Sequence, residues 1–233
     1  RLCKSEPRTA ILINKPNVIF EGDGPATVLF LEDGQLVNNI LVTASNVTVR
    51  DLAIDGNRAN NPRVSSNNFD QCGVRAISDA YPSQNLDSVI VENTHIAESQ
   101  VINVELVGRN MIIRDNFLGN AGSDVANLVI GPGSISGNTA EVSASVGYGL
   151  GTDSADRVRI SDNTFTVTPT GRLIFSAIHT WPGAYSTIID GNLVTSEGGG
   201  QAGALLEIHG YFHAVTGNVF VSTNRSRILI HGG

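Results

Sequence analysis

One asparagine returns at a near-constant interval through much of this 233-residue chain: Asn93, Asn116, Asn138, Asn163, Asn192 and Asn218, spaced 23, 22, 25, 29 and 26 residues apart. Each sits in a similar setting. A β-branched residue lies three positions before it (Ile90, Ile113, Ile135, Ile160, Ile189, Val215), and Asp, Glu or Gly immediately precedes it. Self-similarity at this period implies a stacked array of short units. β-branched runs broken by Asn, Asp and Gly read as strands joined by tight turns. Asn tolerates the left-handed backbone such turns require. Its amide, stacked on the amide of the next unit, can donate and accept along the column.

Composition agrees. Gly is frequent, with 25 residues, there is a single Met, and aromatics make up 6%, as expected of a turn-rich all-β chain. The formal net charge of −7 and the lack of Lys/Arg runs argue against nucleic acid as a partner. No apolar stretch reaches about 18 residues, so no membrane span is expected. No signal peptide is visible. Residues 1–233 read as one domain, a piece of a longer chain. Cys3 and Cys72 fit either one disulfide or two thiols. They precede strands two coils apart, roughly 10 Å by strand spacing, beyond ordinary disulfide reach unless a loop bends.

Three short strands fit in each coil. After Gln100, Val101 to Leu106 reads as a first strand, Met111 to Arg114 as a second and Phe117-Leu118 as a third, with Asp115-Asn116 at the corner. Alternation sends Ile102, Val104 and Leu106 inward, and Asn103 and Glu105 outward. The Asn-rich stretch from Asp55 to Gln71 reads as an excursion from its coil.

The recurring Asn corner, the three-strand coil and the 22 to 29-residue period resemble the right-handed parallel β-helix of the pectate lyase-like superfamily, from about Ile11 to Ile230. The resemblance implies about eight coils, roughly 40 Å of stack, and an asparagine ladder at one turn. Lyases, hydrolases, esterases, epimerases, tailspike depolymerases and non-enzymes share that fold, so function has to come from a site. Polygalacturonases of this superfamily carry a paired Asp-Asp, which this chain lacks. Uronate epimerases carry Tyr-Gly-Phe-Asp-Pro-His-Glu. The run Tyr148-Gly149-Leu150-Gly151-Thr152-Asp153 begins that way and then departs, without the His and Glu.

Stacking the coils suggests another group. Ile178-His179, Ile208-His209 and Ile230-His231 are expected at one place in successive coils, each Ile inward and each His outward. Glu105, Glu207 and Arg75 fall two residues earlier in the coil, with Gly131, Gly149 and Gly151 as a bare floor between. In the resembled superfamily the outer face of this strand is the usual substrate cleft. Candidate catalytic residues are therefore His179, Glu207, His209 and Asp153, the last in the adjoining turn with Asp156. Candidate substrate-binding residues are Trp181, Glu105, Arg75 and His231. His serves as acid or base near neutral pH, and Trp offers a flat face to a sugar ring. Imidazoles in line suit tetrahedral zinc poorly, so no metal or other cofactor is expected, with calcium left open in the absence of a clear motif. The expected partner is a polysaccharide, bound and cleaved or modified outside the cell or at its surface, by a lyase or a hydrolase. The alternative is a non-catalytic adhesive β-helix or a trimeric tailspike-type shaft, with Ile77, Val107 and Val129 as an outward apolar face.

Overall fold

A computed structural model describes residues 9–61, 71–198, 200–223 and 226–231. Cys3 and most of the expected excursion, residues 62–70, lie outside this set. The described residues form 27 short strands and no helix. They assemble into three parallel sheets. The chain visits the sheets in rotation, so each circuit is one coil. Coil four, for example, runs Val104–Arg109, Met111–Arg114 and Phe117–Leu118 before Asp124–Ile130 begins coil five. There are eight such circuits, and Arg227–Ile230 opens a ninth pass through the first sheet. The result is an all-β parallel solenoid of the expected kind.

Alternation explains the packing. Ile40, Val42, Val47, Val49 and Ile54 of one coil turn inward and are at most 2% exposed. Their equivalents in later coils continue the same core as far as Ile208. No coil can bury this face alone, so stability comes from neighbour on neighbour.

Two corners per coil need a left-handed residue. The first precedes the second sheet and is taken by Asn17, Asn46, Ser88, Asn110, Arg157, Ser186 and Phe212, with φ between 52° and 62°. The second precedes the ladder and holds Asp115, Gly137, Asp162, Gly191 and Gly217. Just beyond it, Asn116, Asn138, Asn163, Asn192 and Asn218 form a continuous column. Each Nδ2 donates to the Oδ1 of the next coil's Asn at 2.8–2.9 Å.

Asn93 does not belong to that column. It occupies the left-handed seat itself (φ 50°), and the neighbouring Thr94 fills the ladder position. Thr94 Oγ1 donates to Asn116 Oδ1 at 2.7 Å. The sequence places Asn93 wrongly because Asn suits both seats, which are one residue apart.

Candidate active site on the outer face of the first sheet

The site lies across three neighbouring first-sheet strands, Tyr148–Asp153, Arg172–Thr180 and Gln201–Ile208, the last two being the longest strands among the described residues. Register aligns Arg75, Glu105, Asn127, Gly151, His179 and Glu207 across six successive coils. The three histidines are therefore not one column. His179 stands opposite Glu207, while Ile208 pairs with Ile230, which sets His209 beside His231 two residues further along. The expected alignment was out by two. A slip of two preserves which side chains face in and out, so alternation cannot detect it. One register shift, between Leu173 and Ser176, lies in the ladder that joins His179 to Glu207, and a second, between Ala204 and Leu206, lies in the next ladder.

His179 points outward yet is 1% exposed. Its ring lies over Gly151, where an added Cβ would come within 2.1 Å of it. Gly151 is thus the seat of an imidazole rather than bare floor. Gly149 faces the core ring of Phe165, and Gly131 turns a corner at φ 76°. Tyr148 and Trp181 cover the imidazole, their ring centres 4.8 and 6.0 Å from it. Burial drives its pKa down to about 3, against the pull of Glu207, so the ring is neutral. Neither ring nitrogen has a hydrogen-bond partner among the described residues. A buried polar group in that state carries a cost and calls for a reason.

Glu207 is the hub of the open side. Its Oε1 lies 3.1 Å from His209 Nε2 and 3.4 Å from His231 Nε2. Burial opposes ionisation of Glu207, but the hydrogen bond from His209 and the nearby imidazoles outweigh it, leaving the carboxyl below its ordinary value. His209 is sandwiched between Trp181, at 6.0 Å and 18°, and His231, at 3.9 Å and 6°. Its backbone is held as well. The amide donates to Thr180 Oγ1 at 2.9 Å, and the carbonyl accepts from the same hydroxyl at 2.6 Å.

Tyr148 completes the group. It stacks on Phe175 at 4.4 Å and lies edge-on to Trp181 at 5.1 Å. Burial, then the charges of Glu207 and Asp124, push its hydroxyl up to about 12, which keeps the proton on it. Tyr148 and Phe175 were not among the residues singled out from sequence. The Tyr148-Gly149 start of the epimerase-like run was the available signal for the first. Phe175 gave none, because the bulge that turns it outward is invisible to alternation.

At the other end of the column Arg75 and Glu105 hold each other, Nε to Oε2 at 2.8 Å, with only 14% and 6% of their side chains exposed. Burial raises the Glu105 carboxyl to about 7 despite Arg75, with Asp124 and Asp153 pushing the same way. Asp153 is half-buried at the end of its strand, pairs with Val129 and accepts from Ser154 Oγ at 3.0 Å. Asp156 lies apart, in an exposed ion pair with Arg157. The apolar row expected to serve an adhesive or trimeric surface is not an open patch, since Val107 is 4% exposed and Ile77 and Val129 are partly covered.

Among the described residues, one group of His, Cys, Asp or Glu brings three metal-binding atoms together, and it is Glu207, His209 and His231. Two imidazoles and one carboxylate are a poor set for calcium, which takes six or more oxygens. No helix of the described residues is long and apolar enough to cross a membrane.

No protein-family model matches this sequence, and no curated protein matches it. Among solved structures the chain is similar to the A-module of the Azotobacter vinelandii mannuronan C-5 epimerase AlgE4, with 15% identity over 94% of this chain and 82% of that one, at a TM-score of 0.36. The AlgE6 A-module of the same organism matches with 16% identity over 94% and 81%, at 0.33. The tailspike gp49 of the Acinetobacter baumannii bacteriophage Fri1, a capsular polysaccharide depolymerase, matches with 12% identity over 84% of this chain, at 0.39. This chain spans 43% of the tailspike's length.

Proposed function

We propose that this protein is a carbohydrate-active enzyme of the cell exterior that binds a polysaccharide along the outer face of its first sheet and cleaves or modifies it by acid–base chemistry. The observation that supports this reading is the Glu207–His209 pair, 3.1 Å apart and part-exposed beside the Tyr148, Phe175 and Trp181 rings. His209 exchanges the proton, since an imidazole works on both sides of neutrality. Glu207 holds its ring in place and fixes its tautomer. Tyr148, which keeps its proton, donates to the leaving oxygen. The aromatic faces take sugar rings, with Asp153 and His231 flanking. His179, Arg75 and Glu105 shape the floor beneath.

The test is a screen of pectins, alginates, glycosaminoglycans and neutral glycans. New reducing ends report hydrolysis, and unsaturated ends that absorb in the ultraviolet report elimination. Activity on one substrate is expected, and Glu207→Gln and His209→Ala should each lower it by about 10²-fold or more, the usual scale for a general acid–base partner. Full activity in both variants, or no product from any glycan, overturns the proposal.

A further inference from the structure

We infer that Glu207, His209 and His231 form a binding site for a divalent transition-metal ion such as Ni²⁺ or Zn²⁺. Three different donors converge from two adjacent coils, with both Nε2 atoms turned to the same carboxylate oxygen. The two nitrogen-to-oxygen separations, 3.1 and 3.4 Å, suit neighbouring ligands of one ion. Metal–donor bonds of about 2.0–2.1 Å at tetrahedral or octahedral angles put adjacent donors about 2.8–3.4 Å apart. All the donor atoms lie within 4.8 Å of one another, and rotation of the His231 ring, 45% exposed, closes the set.

Stacking does not forbid this geometry. The rings of His209 and His231 are parallel and 3.9 Å apart. Parallel in-plane lone pairs do not meet at one ion, so binding turns the exposed His231 ring out of the stack until its Nε2 points at the ion held by His209 and Glu207. Imidazole with carboxylate selects nickel, zinc or copper over calcium and magnesium, which want all-oxygen shells. Three protein ligands leave positions open for water on the solvent side. Trp181 against the far face of His209, and Thr180 on its backbone, hold the central ligand in place. Such support around a ligand governs affinity as much as the ligands do. A bound ion uses the lone pairs of His209 and Glu207, so it excludes their acid–base role while it is present. The metal site does not depend on the sugar chemistry and would stand if that failed.

The chain has a single Trp, and Trp181 lies against His209. Paramagnetic Ni²⁺ at the site should quench its fluorescence. The experiment titrates chelator-treated full chain with Ni²⁺ and then displaces the ion with Zn²⁺. Saturable quenching at one ion per chain is expected, weakened at least 10-fold in His231→Ala and in Glu207→Gln. His95→Ala, on the third sheet beside Phe117, should bind as the parent does. Circular dichroism confirms that each variant keeps its strands. No saturable quenching up to millimolar Ni²⁺ overturns the inference, and so does an affinity unchanged in both ligand variants.

Discussion

Replacing Asn163 by Ala should destabilise the solenoid by about 3 kcal/mol. Asn163 is 1% exposed, mid-ladder, and makes four side-chain hydrogen bonds. Its Oδ1 accepts from the Asn138 backbone N–H at 3.0 Å and from Asn138 Nδ2 at 2.9 Å. Its Nδ2 donates to Ile135 O at 3.0 Å and to Asn192 Oδ1 at 2.9 Å. Not every partner is orphaned by the change. Asn138 Nδ2 keeps Ile113 O, and Asn192 Oδ1 keeps the Asn163 backbone N–H. The Asn138 backbone N–H has no such alternative, and a buried donor left alone costs about 1–3 kcal/mol. The weakened bonds add about 0.5–1.5 kcal/mol each. For a chain of this size about 3 kcal/mol lowers Tm by roughly 6–12 °C. Asn163→Thr should fall between Ala and the parent, because Thr94 already fills this seat with a hydroxyl that reaches the next Oδ1. Exposed Glu141→Ala, a surface change, should stay within about 0.5 kcal/mol. Thermal unfolding followed by circular dichroism measures all three. Equal melting of Asn163→Ala and Glu141→Ala would refute the ladder as a source of stability.

Three further outcomes follow from the site. His179 should resist carbethoxylation in the parent and become reactive in Gly151→Ala, where the new methyl has to push the imidazole off the sheet; equal modification by mass spectrometry would contradict its seat. Glu105 binds its proton more tightly folded than unfolded, about 7 against 4.5. Its contribution to stability is therefore full below about pH 4.5 and lost as pH rises to about 7. Relative to Glu105→Gln, the parent should lose about 2–3 kcal/mol between pH 5 and pH 8 in denaturant titrations, and parallel pH profiles would refute the shift. Because the outward apolar row is covered at Val107, Val107→Ser should cost stability as a core change does, by about 1–3 kcal/mol. A change under about 0.5 kcal/mol would show the row to be surface.

The fold was legible because its signals are periodic and local. A β-branched residue three before an Asn marks a corner wherever it falls, and the five ladder positions from Asn116 to Asn218 come directly from that rule. Asn93 escaped it because two adjacent seats both favour Asn. The site was legible only in part. Glu207, His209, His231 and Trp181 could be put on one face by counting in twos. Their pairing could not, because an even slip costs nothing in hydrophobic pattern, and the irregularity between Leu173 and Ser176, in the ladder that sets His179 opposite Glu207, leaves no local signal. The cover over His179 was equally hidden. It comes from Tyr148, one coil below, and burial of an outward residue is a tertiary fact that no local pattern encodes.

The central claim is that saccharides bind beside Trp181, and since this is the only Trp, its emission reports on that place alone. Titrating chelator-treated protein with oligosaccharides of the uronate, amino-sugar and neutral classes, while following Trp181 fluorescence, tests the claim directly. A saturable change with one class, abolished by that class's own competitor and weakened in Tyr148→Ala, is the predicted result. Flat emission across all three classes would contradict it.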